Sequence, residues 1–138
     1  MTWDYVSAFL DTDGSICLTR SRKKSEPSLQ IAFHNSYIEL INALKDFIFK
    51  ETGIQGSVSK KKKQKPNHLD SYDLKYIGAR RALLLSKHLK LLHPVKSKKL
   101  ALAEKLVLLT PRNGKYTETL LAERTVLIQQ FHNYSNFH

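Results

Sequence analysis

The sequence predicts an α+β fold: four antiparallel strands in one sheet, with helices covering one of its faces. Three observations carry this. Two pairs of short runs alternate apolar with small polar residues, and each pair is joined by a lysine-bearing turn, as half-buried hairpins are. Stretches with apolar residues three and four apart precede, separate and follow those pairs, as amphipathic helices do. At 138 residues and 41% hydrophobic, the chain is expected to form one domain over residues 1–138 with a substantial core.

The first helix is read from Tyr5-Val6-Ser7-Ala8-Phe9-Leu10-Asp11-Thr12-Asp13-Gly14. Tyr5, Val6, Phe9 and Leu10 make its apolar face. Ala8 and Thr12, four apart and small, share one side, where a second backbone can come close. Gly14 is expected to permit a sharp exit into a strand. In residues 15–22, Ile16 and Leu18 alternate with Ser15, Cys17 and Thr19. After a turn over residues 23–27, Leu29, Ile31 and Phe33 alternate with Ser28, Gln30, Ala32 and His34. Asn35 or Ser36 is expected to cap the second helix, with Glu39 as the capping-box partner of Ser36. Ile38, Ile41, Leu44, Phe47 and Ile48 form its buried stripe, and Gly53 ends it.

The second hairpin sets Val58 among Ser57, Ser59 and Lys61, turns over residues 62–67, and returns with Tyr72, Leu74 and Tyr76 alternating with Ser71, Asp73 and Lys75. A third helix is expected from near Gly78 to about Leu89. The order is therefore αββαββα. Two C-terminal helices follow, one over about 97–109 and one from about Thr117, with a frayed tail over 133–138.

There are 23 Lys and Arg against 12 Asp and Glu, a net charge of +11 and a pI near 9.8. Such an excess points to a polyanionic partner. Nucleic acid comes first and an acidic membrane surface second, but no basic amphipathic helix and no membrane-length apolar run is present. A membrane partner is therefore not expected. The single Cys17 cannot form an intrachain disulfide, so an intracellular, reducing compartment is expected, an organelle being compatible with it. Its ordinary role is packing or lining a groove. Residues 1–10 carry an acid and no basic start, unlike a signal peptide.

Asp11 and Asp13 lie where a helix ends, and carboxylates are disfavoured at that negative pole. A hard cation such as Mg²⁺ is the natural offset. A calcium loop does not fit, because Phe9 and Arg20 fill its outer ligand positions. The histidines at 68, 88, 93, 132 and 138 show no metal-ligand spacing.

The run from Val6 to Gly14 resembles one copy of the LAGLIDADG motif of homing endonucleases, in its apolar positions, in small Ala8 and in the Asp-x-Asp-Gly ending. Leu29-Gln30-Ile31-Ala32-Phe33 is similar to the second strand of the small chloroplast-type members. Lys96-Ser97-Lys98, leading into a helix that ends at Thr110-Pro111, is similar too, and αββαββα is that family's core order. No second Asp-x-Asp-Gly is present, so the resemblance is to the single-motif, homodimeric type.

The resemblance implies that two motif helices cross at a twofold axis, with Ala8, Thr12 and Asp11 at or beside the dimer contact. Each copy would bring Asp13 to a shared metal site, with the Thr12 carbonyl as a neighbouring ligand and Asp11 structural. The cofactor implied is Mg²⁺, for which Mn²⁺ can substitute. Lys96 matches the lysine that lies near the scissile phosphate in relatives. Relatives also place a glutamine near the end of the second strand. Here the chain reads His34-Asn35-Ser36-Tyr37, so His34 becomes the candidate to position water, with a base contact as its alternative.

The polar strand faces are the expected readers of double-stranded DNA, since a β-ribbon fits the major groove. Ser15, Cys17, Thr19 and Ser21 line it from the first strand, and Ser28, Gln30 and His34 from the second. Ser57, Ser59, Lys61, Ser71, Asp73 and Lys75 do so from the other hairpin. Gln30 suits adenine, Asp73 cytosine, and Lys61 or Lys75 guanine. Arg20, Arg22, Lys23, Lys63 and Lys98 are expected to grip phosphates. The activity implied is cleavage of a long pseudo-palindromic target by an endonuclease whose gene sits in a mobile intron. The alternatives are a maturase that binds group I intron RNA on the same fold, and a DNA-binding regulator without catalysis.

Overall fold

Thr2 starts the first helix, α1 (Trp3–Asp13), its hydroxyl accepting the Tyr5 amide at 3.1 Å. In this computed structural model, residues 1–19, 27–61, 66, 69–109 and 115–135 are described. At the far end of α1, the Gly14 amide donates to the Leu10 carbonyl and the chain turns straight into β1 (Gly14–Thr19). Gly14 has φ −113° and ψ 174°, extended backbone open to any residue. The expectation of a special glycine conformation is corrected: what demands glycine is crowding. A Cβ there would stand 2.8 Å from the Leu10 Cα and 2.9 Å from its carbonyl oxygen.

β1 pairs antiparallel with β2 (Ser28–Asn35), placing Ser15 opposite Ala32 and Cys17 opposite Gln30. The second hairpin is β3 (Ser57–Lys61) with β4 (Ser71–Ile77). β2 and β4 join the hairpins at the centre, His34 opposite Asp73, so the strand order is β1-β2-β4-β3. The alternation then sorts itself: Ile16, Leu29, Ile31, Phe33, Leu74 and Tyr76 are buried, and the polar members take the other face.

α2 (Ile38–Thr52) lies on β2 and β4 and buries Ile41, Leu44 and Ile48. Its cap differs from expectation. The helix starts one residue later than a Ser36 cap requires, which puts Leu40, not Glu39, at the capping-box position. Tyr37 is the N-cap without a side-chain bond, and the Asn35 carboxamide accepts the Tyr37 amide at 2.9 Å. Gly53 does end α2, in the left-handed region at φ 74°, where side chains other than glycine are strained.

α3 (Ala79–Ser86) stops three residues before Leu89. The amides of His88 and Leu89 turn back onto the carbonyls of Leu85 and Ser86, each at 3.1 Å, tightening the chain out of the helix. α4 (Pro94–Leu108) begins three residues earlier than expected. Proline suits a first helical turn, and the His93 ring caps it, Nδ1 accepting from the Val95 and Lys96 amides at 3.2 and 3.3 Å. α5 (Glu118–Ser135) carries the helix through Asn133, where fraying was expected. Buried Arg124 ties α5 to α4. Its guanidinium donates to the Leu106 carbonyl at 3.1 Å and lies 5.1 Å from the centre of the Tyr116 ring.

The helical layer closes on the chain's one tryptophan. Trp3 stacks on His88 at 4.4 Å and meets the edge of Phe47 at 5.2 Å. Tyr5 departs from its expected place in the apolar face: it is 46% exposed. With Ala8 and Thr12 it belongs to the outward side of α1. Replacing Gly14 with alanine should destabilise the protein by about 1–3 kcal/mol, the usual cost of overpacking, measured as a lowered denaturant midpoint at unchanged slope.

Candidate nucleic-acid interface and metal centre

The end of α1 and the start of α4 are locked together. The Asp11 carboxylate accepts the Leu92 amide at 2.8 Å and the His93 amide at 3.2 Å, just ahead of α4. In return the Lys96 ammonium donates to the Leu10 and Asp11 carbonyls at 2.9 and 2.8 Å. The negative end of one helix thus receives a cation, and its awkward carboxylate receives the positive end of another. Asp11 therefore needs no metal. Burial lowers the Lys96 pKa, and the charges of Asp11 and Asp13 partly restore it. One turn earlier, the buried Ser7 hydroxyl accepts the Lys90 amide at 3.0 Å, fastening the same linker to α1.

Asp13 is the acid left over. It is exposed and makes no hydrogen bond or ion pair among the described residues, though its charge is felt by Lys96. Thr12 turns its hydroxyl back to the Ala8 and Phe9 carbonyls at 3.1 and 3.3 Å. A carboxylate beside helix-terminal carbonyls is a hard oxygen donor set, and it suits Mg²⁺ in kind. It is incomplete in number: among the described residues no three His, Cys, Asp or Glu side chains gather where they could hold a metal. A shallow hollow lined by Tyr5, Ala8, Thr12, Asp13, Asn35 and Leu40 runs alongside this donor set.

Asp13 leads directly into the polar face of the sheet. Ser15, Cys17, Ser28, Gln30, His34, Ser57, Ser59, Lys61, Ser71, Asp73 and Lys75 share that face by register. The face is internally bonded. His34 Nδ1 lies 2.6 Å from the Asp73 carboxylate, His34 Nε2 lies 3.0 Å from the Ser15 hydroxyl, and Lys61 stands 3.8 Å from the same Asp73 oxygen. Asp73, expected to suit cytosine, is only 3% exposed, and its carboxylate is turned to His34. Gln30 donates its amide to the Cys17 sulfur at 3.5 Å.

Lys98 is exposed and lies 5.7 Å over the Tyr134 ring of α5. Its helical neighbour Lys99 is the one that approaches Cys17 and Lys96. Lys99 could have been found from the sequence, since it stands three residues after Lys96 and so on the same side of α4. Tyr5 could have been found likewise, three residues before Ala8. A third residue missed in the sequence is Ile77, 46% exposed and opposite Gln30 on the polar face. The structure does not bring the two halves of the lysine-rich expectation into view: Arg20, Ser21, Arg22, Lys23 and Lys63 lie outside the described residues.

No family model and no curated protein sequence matches the chain. Solved structures do. The homing endonuclease I-CvuI, in complex with DNA in the presence of Mg, aligns at TM-score 0.67 and 16% identity, covering 96% of this chain and 80% of that one. The archaeal intron-encoded homing endonuclease I-Vdi141I, complexed with DNA, aligns at 0.66 and 16% identity over 94% of this chain and 81% of its own. This is the LAGLIDADG homing-endonuclease fold. The LAGLIDADG meganuclease I-AabMI, bound to uncleaved DNA, shares it at TM-score 0.66 and 16% identity, covering 93% of this chain but 44% of the longer one. The LAGLIDADG α+β architecture expected from the sequence is therefore the architecture present.

Removing the Asp11 carboxylate (Asp11→Ala) should cost about 1.5–3 kcal/mol, the range for a hydrogen bond to a charged group, and Asp11→Asn should cost less because it keeps an acceptor. Denaturation of the two variants checks this. Burial raises the Cys17 thiol, with Lys99 and Lys75 pulling it partly back. Less thiolate then exists at pH 8, so iodoacetamide should modify Cys17 several-fold more slowly than a free thiol, and the rate should climb as pH passes the ordinary thiol range.

Proposed function

We propose that this chain is a site-specific, Mg²⁺-dependent DNA endonuclease of the LAGLIDADG family, acting as a homodimer on a long pseudo-palindromic duplex. The observation that carries this reading is the position of Asp13. It stands exposed where the outward Tyr5–Ala8–Thr12 side of α1 meets the polar face of the sheet. Half a metal site beside an open helix face calls for a second copy, and a twofold contact through Ala8 and Thr12 supplies the second Asp13. Residues 1–138 would then form one domain per half-site.

In this reading the Asp13 pair and the Thr12 carbonyls hold the metal, for which Mn²⁺ can substitute. The bound ion supplies phosphate charge neutralisation and a more acidic water. Lys96 positions Asp13 by holding the end of α1, and its charge beside that end favours an approaching phosphate. His34, with Nδ1 on Asp73 and Nε2 on the Ser15 hydroxyl, would orient water or touch a base only by giving up the Ser15 contact. The sheet residues read the major groove, while Lys75, Lys99 and the lysine- and arginine-rich hairpin ends balance backbone charge. The +11 charge makes binding steeply dependent on salt.

The test is cleavage of a library of DNA duplexes by the wild type and by Asp13→Asn, in Mg²⁺ and in Ca²⁺. Cutting should require Mg²⁺ and fall by more than roughly 100-fold in the variant, beyond the loss typical of an outer-shell partner of a metal ligand. Duplex binding should persist. Absence of cutting on every duplex, together with tight binding to a structured intron RNA that tolerates Asp13→Asn, would replace this reading with that of a maturase.

A further inference from the structure

Asp73 is an anomaly on a surface meant for contact. Its side chain is 4% exposed, while that of His34, which it meets at 2.6 Å, is 33% exposed. A carboxylate removed from water must be paired, and both His34 and Lys61 pair it. An ionised carboxylate only accepts hydrogen bonds, so the nitrogen facing it, His34 Nδ1, must carry the proton. In the neutral imidazole that leaves Nε2 as an acceptor. The group beside Nε2 is the Ser15 hydroxyl, at 3.0 Å. Its proton is then directed at His34, and only oxygen lone pairs remain on its outer side. Register puts both on the polar face, Ser15 two residues beyond Asp13 on the edge strand β1 and His34 on the central strand β2.

Resting on the endonuclease reading above, we propose that Ser15, His34 and Asp73 form one base-reading unit whose polarity is set by Asp73. Ser15 presents an acceptor to the major groove and selects an amino-bearing base, cytosine or adenine, at one position of each half-site. Guanine O6 and thymine O4 are acceptors themselves and are rejected there. Asp73 touches no base. It is a positioning residue that fixes the proton on His34 and, through it, the direction of the Ser15 hydroxyl. Without Asp73 the imidazole can carry its proton on Nε2, donate to Ser15, and free the hydroxyl to donate outward.

Two measurements test this. In the free protein at pH 8, ¹⁵N NMR should show His34 in the Nδ1–H tautomer, and the Nε2–H tautomer in the wild type would overturn the proposal. Binding selection from a duplex library should then give a preference for C or A at one position per half-site. Asp73→Leu should shift that position toward G or T by about tenfold in relative affinity, the lower end of a single-position discrimination. Asp73→Asn, whose amide oxygen still accepts from Nδ1, should keep the wild-type preference. Ser15→Ala should erase the preference at that position alone, which keeps the test decisive if Asp73→Leu does not fold. Uniform weakening at all positions in these variants, with wild-type binding and cutting intact, overturns the unit and leaves the endonuclease reading standing. A wild type that binds no duplex overturns both.

Discussion

The reciprocal clasp between the end of α1 and the start of α4 is the contact on which the candidate site depends. Neither partner is stable in that place alone. Asp11 sits at the negative pole of its own helix, and Lys96 gives up hydration when it enters the junction. Each is offset by the other helix, through four hydrogen bonds between 2.8 and 3.2 Å. Asp13 is two residues beyond Asp11, so the clasp fixes the direction from which its carboxylate leaves the helix. The catalytic role proposed for Asp13 requires it to be held to a fraction of an ångström by supports that are themselves held. Here α4 is such a support, and α5, through Arg124 and Tyr116, holds α4.

The strands were legible because a period of two admits few alternatives: shifting Ile31 or Leu74 by one residue would turn every apolar side chain into water. Gly53 was legible because its left-handed backbone leaves little choice of residue. The helix starts were not. Ser36 and Glu39 have capping-box spacing, yet a helix beginning one residue later uses neither, and His93 caps α4 through a ring that sequence rules do not favour as a cap. Gly14 was recognised for the wrong reason, because crowding by Leu10 is a tertiary fact. In the candidate site, Asp13 and Lys96 were singled out from a motif, and the structure sets both at the end of α1. The depth of Asp73 was not legible, since alternation gives a face but not a depth, and its burial comes with partners 39 and 12 residues away in sequence.

The likeness to DNA-bound LAGLIDADG endonucleases persists at 16% identity. What these distant chains hold in common is a fold and not a set of letters. Fold and site then have different sources, one in pattern and one in a few named residues.

The pleat of the sheet has a consequence for how such a protein can change. Side chains that pack the core and side chains that face outward are interleaved along the same strands but never share a surface. Outward positions such as Ser57, Ser59 and Ile77 can drift through new residues while Leu74 and Tyr76 keep the fold intact, so novelty on one side is insulated from stability on the other. Asp73 breaks that insulation. It belongs to the outer face by register and to the interior by burial, and a change there is felt on both sides at once. Evolutionary exploration of this surface should therefore run freely around the rim and slow at the middle, where a single residue answers to two masters.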